Sequence, residues 1–468
     1  MQFDSLIFAQ FLLVVYLLHL AVARRVQPRE WLLLGASCIF YMAWDARFIV
    51  LILGSCLLDF AAGLLISRAP TPGARRRWLV VSLAGNLGLL FLFKYLDFAV
   101  ENLNRLGALW PGFAPLLAPH WILPVGISFY TFQSMSYTMD VYRGGLRPVS
   151  SLRRFLLFVT FFPQLVAGPI VKAHEFLPQL ELRYRFDAER FGRGLGFILG
   201  GLIKKIVVAD GLALLVVDRC FTEPGTVGSL EMLLAIYGYA LQIYCDFSGY
   251  SDIAIGTALL FGFDMPHNFD SPYHAVNPQD FWRRWHISLS SWLRDYLYLP
   301  LGGSRLGRRR TMINLMIVML LGGIWHGASW NFVIWGGLHG AALVAYHTWK
   351  DRGLGRLPVW LQRLIFFHFV ALAWIPFRCP DPATTCGVLK TLVALRPGVG
   401  LSLAGILALL ALGGLLHACG IEAQKRMAAR FAITPVVVQA LCVLLVLLAA
   451  TYMSEHFQTH KAFIYFQF

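Results

Sequence analysis

Two histidines stand out among the residues whose types and settings could do chemistry. His326 lies in GGIWHGASWN, inside the otherwise apolar run 311–347, and His286 lies in WRRWHISLSSWLRDY. A neutral imidazole that titrates near working pH can take a proton from a hydroxyl or answer charge developing on an acyl thioester. Holding an ionisable group within a membrane costs at least a few kcal/mol, which makes function the default reading. The residues alone leave a structural reading open as well. His326 could bond a backbone carbonyl freed at a helix break, and His286 could be packing on an aromatic interfacial helix.

Other polar residues carry the same two readings. His339, in GGLHG, follows His326 by 13 residues, about 220° around one ideal helix, so the spacing puts the two on different faces. With no Cys or carboxylate cluster beside them, no metal site is expected. Asp246 and Asp252, in QIYCDFSGYSDIAIG, suit either a polar contact inside a cavity that orients a histidine or arginine, or a helix cap at a membrane break. Lys204 and Lys205 could meet an anionic donor or simply orient the chain in the bilayer. No GxSxG elbow or Ser, His, Asp order appears, which favours a general base acting on an external nucleophile over a covalent serine enzyme.

The elements that must position these residues are membrane helices. Of 468 residues 58% are hydrophobic and only 14% charged, against about 25% charged in soluble domains. The net charge of +15 comes from Arg and Lys in short clusters between apolar runs, a pattern of membrane orientation rather than nucleic-acid binding. Candidate spans are 4–22, 31–44, 47–67, 78–99, 121–140, 195–219, 232–261, 364–377, 399–417 and 433–453. The N-terminal run carries its positive charge after the apolar stretch, as a first transmembrane helix does and a signal peptide does not. One membrane domain over 1–468 is expected, with N-terminal helices in 1–140, a core in 141–350 and C-terminal helices in 351–468. The eight cysteines stand singly, and only Cys379 and Cys386 share a loop in which they could pair.

Counting spans puts the clusters Arg24/Arg25, Arg75–Arg77, Arg183–Arg193, Arg305–Arg310, Lys350–Arg363 and Lys425–Arg430 on one side, the cytoplasm by the positive-inside rule. Two apolar segments then have cytoplasmic flanks at both ends. Residues 155–176 must enter and return, broken near Pro163, Gly168 and Pro169. Residues 311–347 should form a hairpin of two short helices that bends near Trp325, His326 and Gly327, well inside the membrane. Between them, residues 263–305 are too charged to span. Their tryptophans and tyrosines, interleaved with arginines, predict helices in the interface or capping a cavity from the cytoplasmic side. The lack of a GxxxxGK[ST] or GxGxxG loop argues against an ATP-driven pump, and broken segments confined to the middle disfavour a transporter built from inverted repeats.

Five stretches in one order, WILPVGISFYTFQSMSYTMDVYRG, FFPQLVAGPI, QIYCDFSGYSDIAIG, NFDSPYHAVNPQDFWRRWHISLSSWLRDYLYLPLGG and GGIWHGASWNFVIWGGLHG, resemble the membrane-bound O-acyltransferase family, in its bacterial alginate O-acetylation branch. The resemblance runs to the C-terminal HKAFIYFQF. It implies an all-α polytopic membrane fold, a ring of about 10–12 transmembrane helices around a thin partition of re-entrant and short helices pierced by a tunnel. It implies His326 and His286 as the catalytic pair, with Trp282, Arg283, Trp285 and Trp325, and Asp246 beside them, shaping the tunnel. The donor implied is acetyl-CoA, a substrate rather than a bound cofactor. The implied acceptor is an exported polysaccharide such as alginate, reached directly or through a periplasmic SGNH-type acetyltransferase, from a bacterial inner membrane. Other classes remain: D-alanyl transfer to teichoic acid from an acyl carrier protein, a non-enzymatic transporter, or an export-complex subunit.

Overall fold

The computed structural model describes the chain apart from residues 167, 354–356, 399, 402, 458–462 and 465–468, and for 452–457 it describes the backbone alone. Most of the C-terminal HKAFIYFQF therefore lies outside the described residues, Phe463 and Ile464 excepted. The described residues are helical, with no strand. They pack as two compact units, one of residues 12–185 with Met1 and one of residues 2–11 and 186–468.

The first unit contains most of α1 (Leu6–Val22), then α2 (Val26–Met42), α3 (Ile49–Arg68) and α4 (Pro72–Leu90). A π-helical turn joins α4 to α5 (Leu96–Gly107), and α6 (Ile127–Arg143) follows. A buried polar knot ties α3, α4 and α6 together. Both oxygens of Asp59 accept from the Asn86 amide at 2.9 and 2.8 Å, and Ser82 Oγ donates to Asp59 at 2.6 Å and lies 3.0 Å from Thr138. Such groups survive burial only when satisfied. The expected re-entrant segment is broken into α7 (Leu152–Thr160), α8 (Phe162–Leu165) and α9 (Ala173–Phe176). The first break falls at Phe161, just ahead of Pro163, because proline tolerates only the first turn of a helix. The start of α7 is clamped where Arg153 and Arg154 grip the fully buried Glu30 at 2.6 and 2.9 Å.

The second unit carries α10 (Ala188–Leu202), which runs on through π-helical turns to α11 (Asp218–Thr222), then the long α12 (Ser229–Leu260) and the short α13 (Pro278–Trp282) and α14 (Ile287–Leu293). The hairpin of α15 (Arg308–His326) and α16 (Trp330–Asp351) follows, then α17 (Val359–Arg378), α18 (Pro382–Val393), α19 (Leu403–Ala418), α20 (Ile421–Ala432) and α21 (Val436–Phe457). The hairpin bends where the sequence places it, yet its arms, at 19 and 22 residues, are longer than expected because the helix runs outward to Arg308 and Asp351. Glycine lets the arms touch backbone to backbone. A Cβ at Gly336 would strike the Met319 carbonyl, and one at Gly323 would strike the Phe332 carbonyl. Gly336→Val is accordingly expected to cost about 1–3 kcal/mol by overpacking, seen as a lowered unfolding midpoint in detergent.

Among the described residues, three helices are long and apolar enough to cross a membrane by length and composition, Ala46–Arg68, Pro72–Gly107 and Val359–Arg378. Leu403–Ala418 with Ile421–Ala432, bent by 94°, makes a fourth if the pair is one span. The expected span 121–140 is helical only from Ile127, where α6 has 17 residues and is too short for that test, and the expected span 232–261 lies in α12, which ends at Leu260 and buries serines, Asp246 and Asp252. All cysteines are free, and Cys379 is buried at the end of α17 while Cys386 is exposed on α18, so the possible Cys379 to Cys386 bridge is not made.

Candidate active site

His326 is the last residue of α15, and Gly327 beyond it is extended, with φ −167° and ψ 153°. A Cβ there would meet the Phe332 ring, so any larger residue requires that ring to shift. The bend is fastened to α17 by the buried Asn331, whose amide donates to the Cys379 carbonyl at 2.8 Å. That bond aligns the start of α16 with the end of α17 and closes a ring of aromatics around His326. The imidazole, 4% exposed, lies edge-on to Trp335 and Phe377 at 5.1 Å each and against Trp325 at 5.0 Å.

His286 is reached differently. It sits just before α14 with φ 43° and ψ 57°, a left-handed conformation that a non-glycine residue adopts at a cost of about 1–3 kcal/mol and that clusters at functional sites. A backbone clasp enforces it. Ile287 N–H donates to the Asn268 carbonyl at 2.9 Å, Asp270 N–H to the Arg284 carbonyl at 3.0 Å, and Ser288 Oγ to the Asn268 side chain at 2.7 Å. The imidazole is fully buried, edge-on to Phe247 at 4.7 Å and 6.3 Å from Trp325. Trp325 thus touches both histidines.

The structure sorts the remaining residues expected at the site. Trp285 is buried, stacked on Phe281 at 5.7 Å and packed on Trp374 at 4.9 Å. Trp282 lies 5.8 Å from Trp335. Arg283, between them, points outward and is exposed, so it does not join the cluster. Asp246 is bound elsewhere. Its Oδ1 is in ion contact with Lys205 at 2.9 Å, and its Oδ2 accepts from Ile464 N–H at 2.8 Å. Lys205 also reaches Asp210 at 2.8 Å, and Lys204 reaches Asp252 at 2.6 Å. These lysines are locked to carboxylates rather than held out toward a donor, and neither aspartate is a helix cap, since both lie within α12.

The polar stretch 263–305 is also drawn further inward than an interfacial helix. Trp285, Trp292, Tyr296 and His286 are all buried. Sequence reasoning missed Asn331, Trp335, Trp374 and Phe377, and it separated His339 from His326. The helix break brings them together. His339 lies 4.8 Å from Trp335, the ring that also packs on His326. The signal for Asn331 and Trp335 was their place just past the bend, but α17 announced its partners only as an apolar run.

A cavity of about 980 Å³ opens below this cluster, lined by Asn277, Pro278, Tyr346, Trp349, Lys350 and Phe366 among others. Phe366 packs on Phe281 at 5.8 Å, Phe281 on His339 at 5.8 Å, His339 on Trp335, and Trp335 on His326. Residues of α17, α13, α16 and α15 thus form a series of packed rings from the cavity to the imidazole at the bend. Among the described residues no group of three or more His, Cys, Asp or Glu side chains converges on a metal position.

Residues 144–352, which hold both histidines and the hairpin, match the model of the membrane-bound O-acyltransferase family. The chain belongs to that family and is an O-acyltransferase. It is 40% identical over 407 residues to a peptidoglycan O-acetyltransferase of Helicobacter pylori, covering 80% of this chain and 75% of that one. It is likewise 40% identical over 383 residues to a probable alginate O-acetylase of Pseudomonas aeruginosa, covering 81% and 72%. A teichoic acid D-alanyltransferase of Bacillus subtilis is 28% identical over 294 residues, 58% of this chain and 74% of its own.

Proposed function

We propose that the chain moves an acetyl group from acetyl-CoA in the cytoplasm to a hydroxyl of an exported polysaccharide such as alginate, directly or through the serine of a periplasmic SGNH-type acetyltransferase. It does so as a multi-pass protein of a bacterial inner membrane. The observation that carries this reading is the series from the cavity to His326, since the cavity's lining includes Lys350, which opens the basic cluster Lys350–Arg363 of the sequence. The O-acetylating relatives support acetyl as the group moved.

In this reading the thioester carbonyl stands at His326. The imidazole takes the proton of the acceptor hydroxyl as its oxygen attacks the carbonyl carbon. The C–S bond breaks, the new C–O ester bond forms, and the proton passes to the departing thiolate. His286 orients the thioester or the imidazole through Trp325, and Trp282 and Trp285 wall the path. Purified chain given acetyl-CoA and an acceptor should release free thiol in step with ester formed. Thiol release without ester, or neither, would refute acyl transfer, and an acceptor-independent solute flux in proteoliposomes would favour a transporter.

A further inference from the structure

From Leu106 to Gly126 the chain reads LGALWPGFAPLLAPHWILPVG, with no Asp, Glu, Lys or Arg. The segment belongs to the first unit, joins α5 to α6, and contributes nothing to the site at His326.

Two contacts show where the bilayer leaves off. At one end of α4 and α6, Arg75 Nη2 donates to the Tyr142 carbonyl at 2.7 Å, and at the other Lys94 Nζ donates to Ser128 Oγ at 3.4 Å. From Arg75 to Lys94 the helix rises about 28 Å, close to the ~30 Å of a hydrocarbon core. Helix continues to Gly107, so α5 climbs about 18 Å past that level, against about 5–8 Å of headgroup layer on each side. This end, opposite Arg75–Arg77, is extracytoplasmic by the positive-inside rule. The segment that caps α5 therefore stands in water.

It is held in one shape there. The Asn104 side chain on α5 clasps Leu116, donating to its carbonyl at 2.9 Å and accepting from its N–H at 2.8 Å, and Asp97 accepts from His120 N–H at 3.2 Å. The Phe113 ring fills the space that a Cβ on Gly107 would take. Pro111, Pro115, Pro119 and Pro124 fix φ along the run. The result is a rigid finger with apolar side chains turned outward. Leu109, Trp110 and Leu117 are 73, 65 and 95% exposed, with Phe113, Leu116 and Trp121 exposed beside them. Together they present apolar surface on the order of 800 Å², about what one partner gives to a standard protein–protein interface and more than a monomer leaves in water.

The chemistry of the finger selects what covers it. A polysaccharide, all hydroxyls and carboxylates, would find no charged group along it, and the lipid lies below. An apolar protein face fits, and the fixed shape lowers the entropy lost on docking. We propose that the finger 106–126 docks a folded extracytoplasmic protein through an apolar, charge-free groove on that partner. The partner's identity rests on the acetyl-transfer reading above and deepens it. It is the serine acetyltransferase of the relay, so the acetyl group leaves through a second protein rather than directly to the polymer.

The test uses the full chain in nanodiscs and the soluble domain of the SGNH-type acetyltransferase of the same bacterium, with binding read by interferometry. Wild type should bind it, and Trp110→Asp combined with Leu117→Asp should raise the Kd about 30-fold or more, as loss of interface anchors does. Thiol release from acetyl-CoA with a small soluble alcohol as acceptor should be equal in the variant and wild type. Leu117→benzoylphenylalanine, irradiated in the same nanodiscs, should crosslink to the acetyltransferase, and this measurement decides if the double variant does not fold. An unchanged Kd, no binding by wild type, or crosslinks only to lipid, to a second copy of this chain or to oligosaccharides of the polymer would overturn the proposal. A chain that docks the acetyltransferase through the finger yet releases no thiol from acetyl-CoA would instead refute acyl transfer and leave the docking surface standing.

Discussion

His326→Ala is expected to reach the membrane in wild-type amounts and to lose acyl transfer by about 10²–10⁴-fold, the range a positioned general base supplies. Alanine also removes an aromatic from a ring of Trp325, Trp335 and Phe377, so a stability loss could mimic a chemical one. His326→Phe separates the two. It keeps a ring in the same surroundings and has no atom to take a proton, so it should hold the unfolding midpoint near wild type and remain inactive. Transfer assayed with acetyl-CoA in membranes containing each variant gives the answer. Retained acetylation in His326→Phe would sink the role of the imidazole as base.

The largest expected effect on stability belongs to Lys205. Its ammonium is buried between Asp210 at 2.8 Å and Asp246 at 2.9 Å. Removing it strands two carboxylates where water cannot reach them. Breaking a buried pair in this way costs about 3–5 kcal/mol, whereas replacing the whole group by neutral residues is often close to harmless. Lys205→Met should therefore unfold early or fail to accumulate, and Lys205→Met with Asp210→Asn and Asp246→Asn should recover most of the lost midpoint. The same triple variant decides the role of Asp246. If activity returns with stability, Asp246 serves the fold through Lys205 and Ile464. If stability returns while transfer stays lost, Asp246 acts on substrate.

What could be read from the residues alone followed from local physics. The basic flanks and length of 311–347 predicted a hairpin that bends near Trp325, His326 and Gly327, where α15 ends and α16 begins. Pro163 predicted the interrupted segment that α7 to α9 form. Apolar runs of spanning length located the long helices because leaving a bare backbone in lipid is prohibitive and helix formation is the local remedy.

Which faces meet was beyond such reasoning. His339 fell on the wrong side of His326 while the interval was treated as one helix, and folding the hairpin brought both onto Trp335. Arg283 and Trp282 are neighbours in sequence, yet one points outward and the other into the cluster, as the two sides of a short helix must. Asp246 lies 41 residues from Lys205, and only the packing of α12 against the π-helical turn after α10 makes them a pair. By itself the sequence determined the class of fold, the bend and the imidazole at it, because these depend on residues within a turn or two of each other. Tertiary structure alone decided the rings packed around His326 and the fate of the buried charges. Those depend on which helix faces come together, and periodicity shows that a helix has a face without saying what that face will meet.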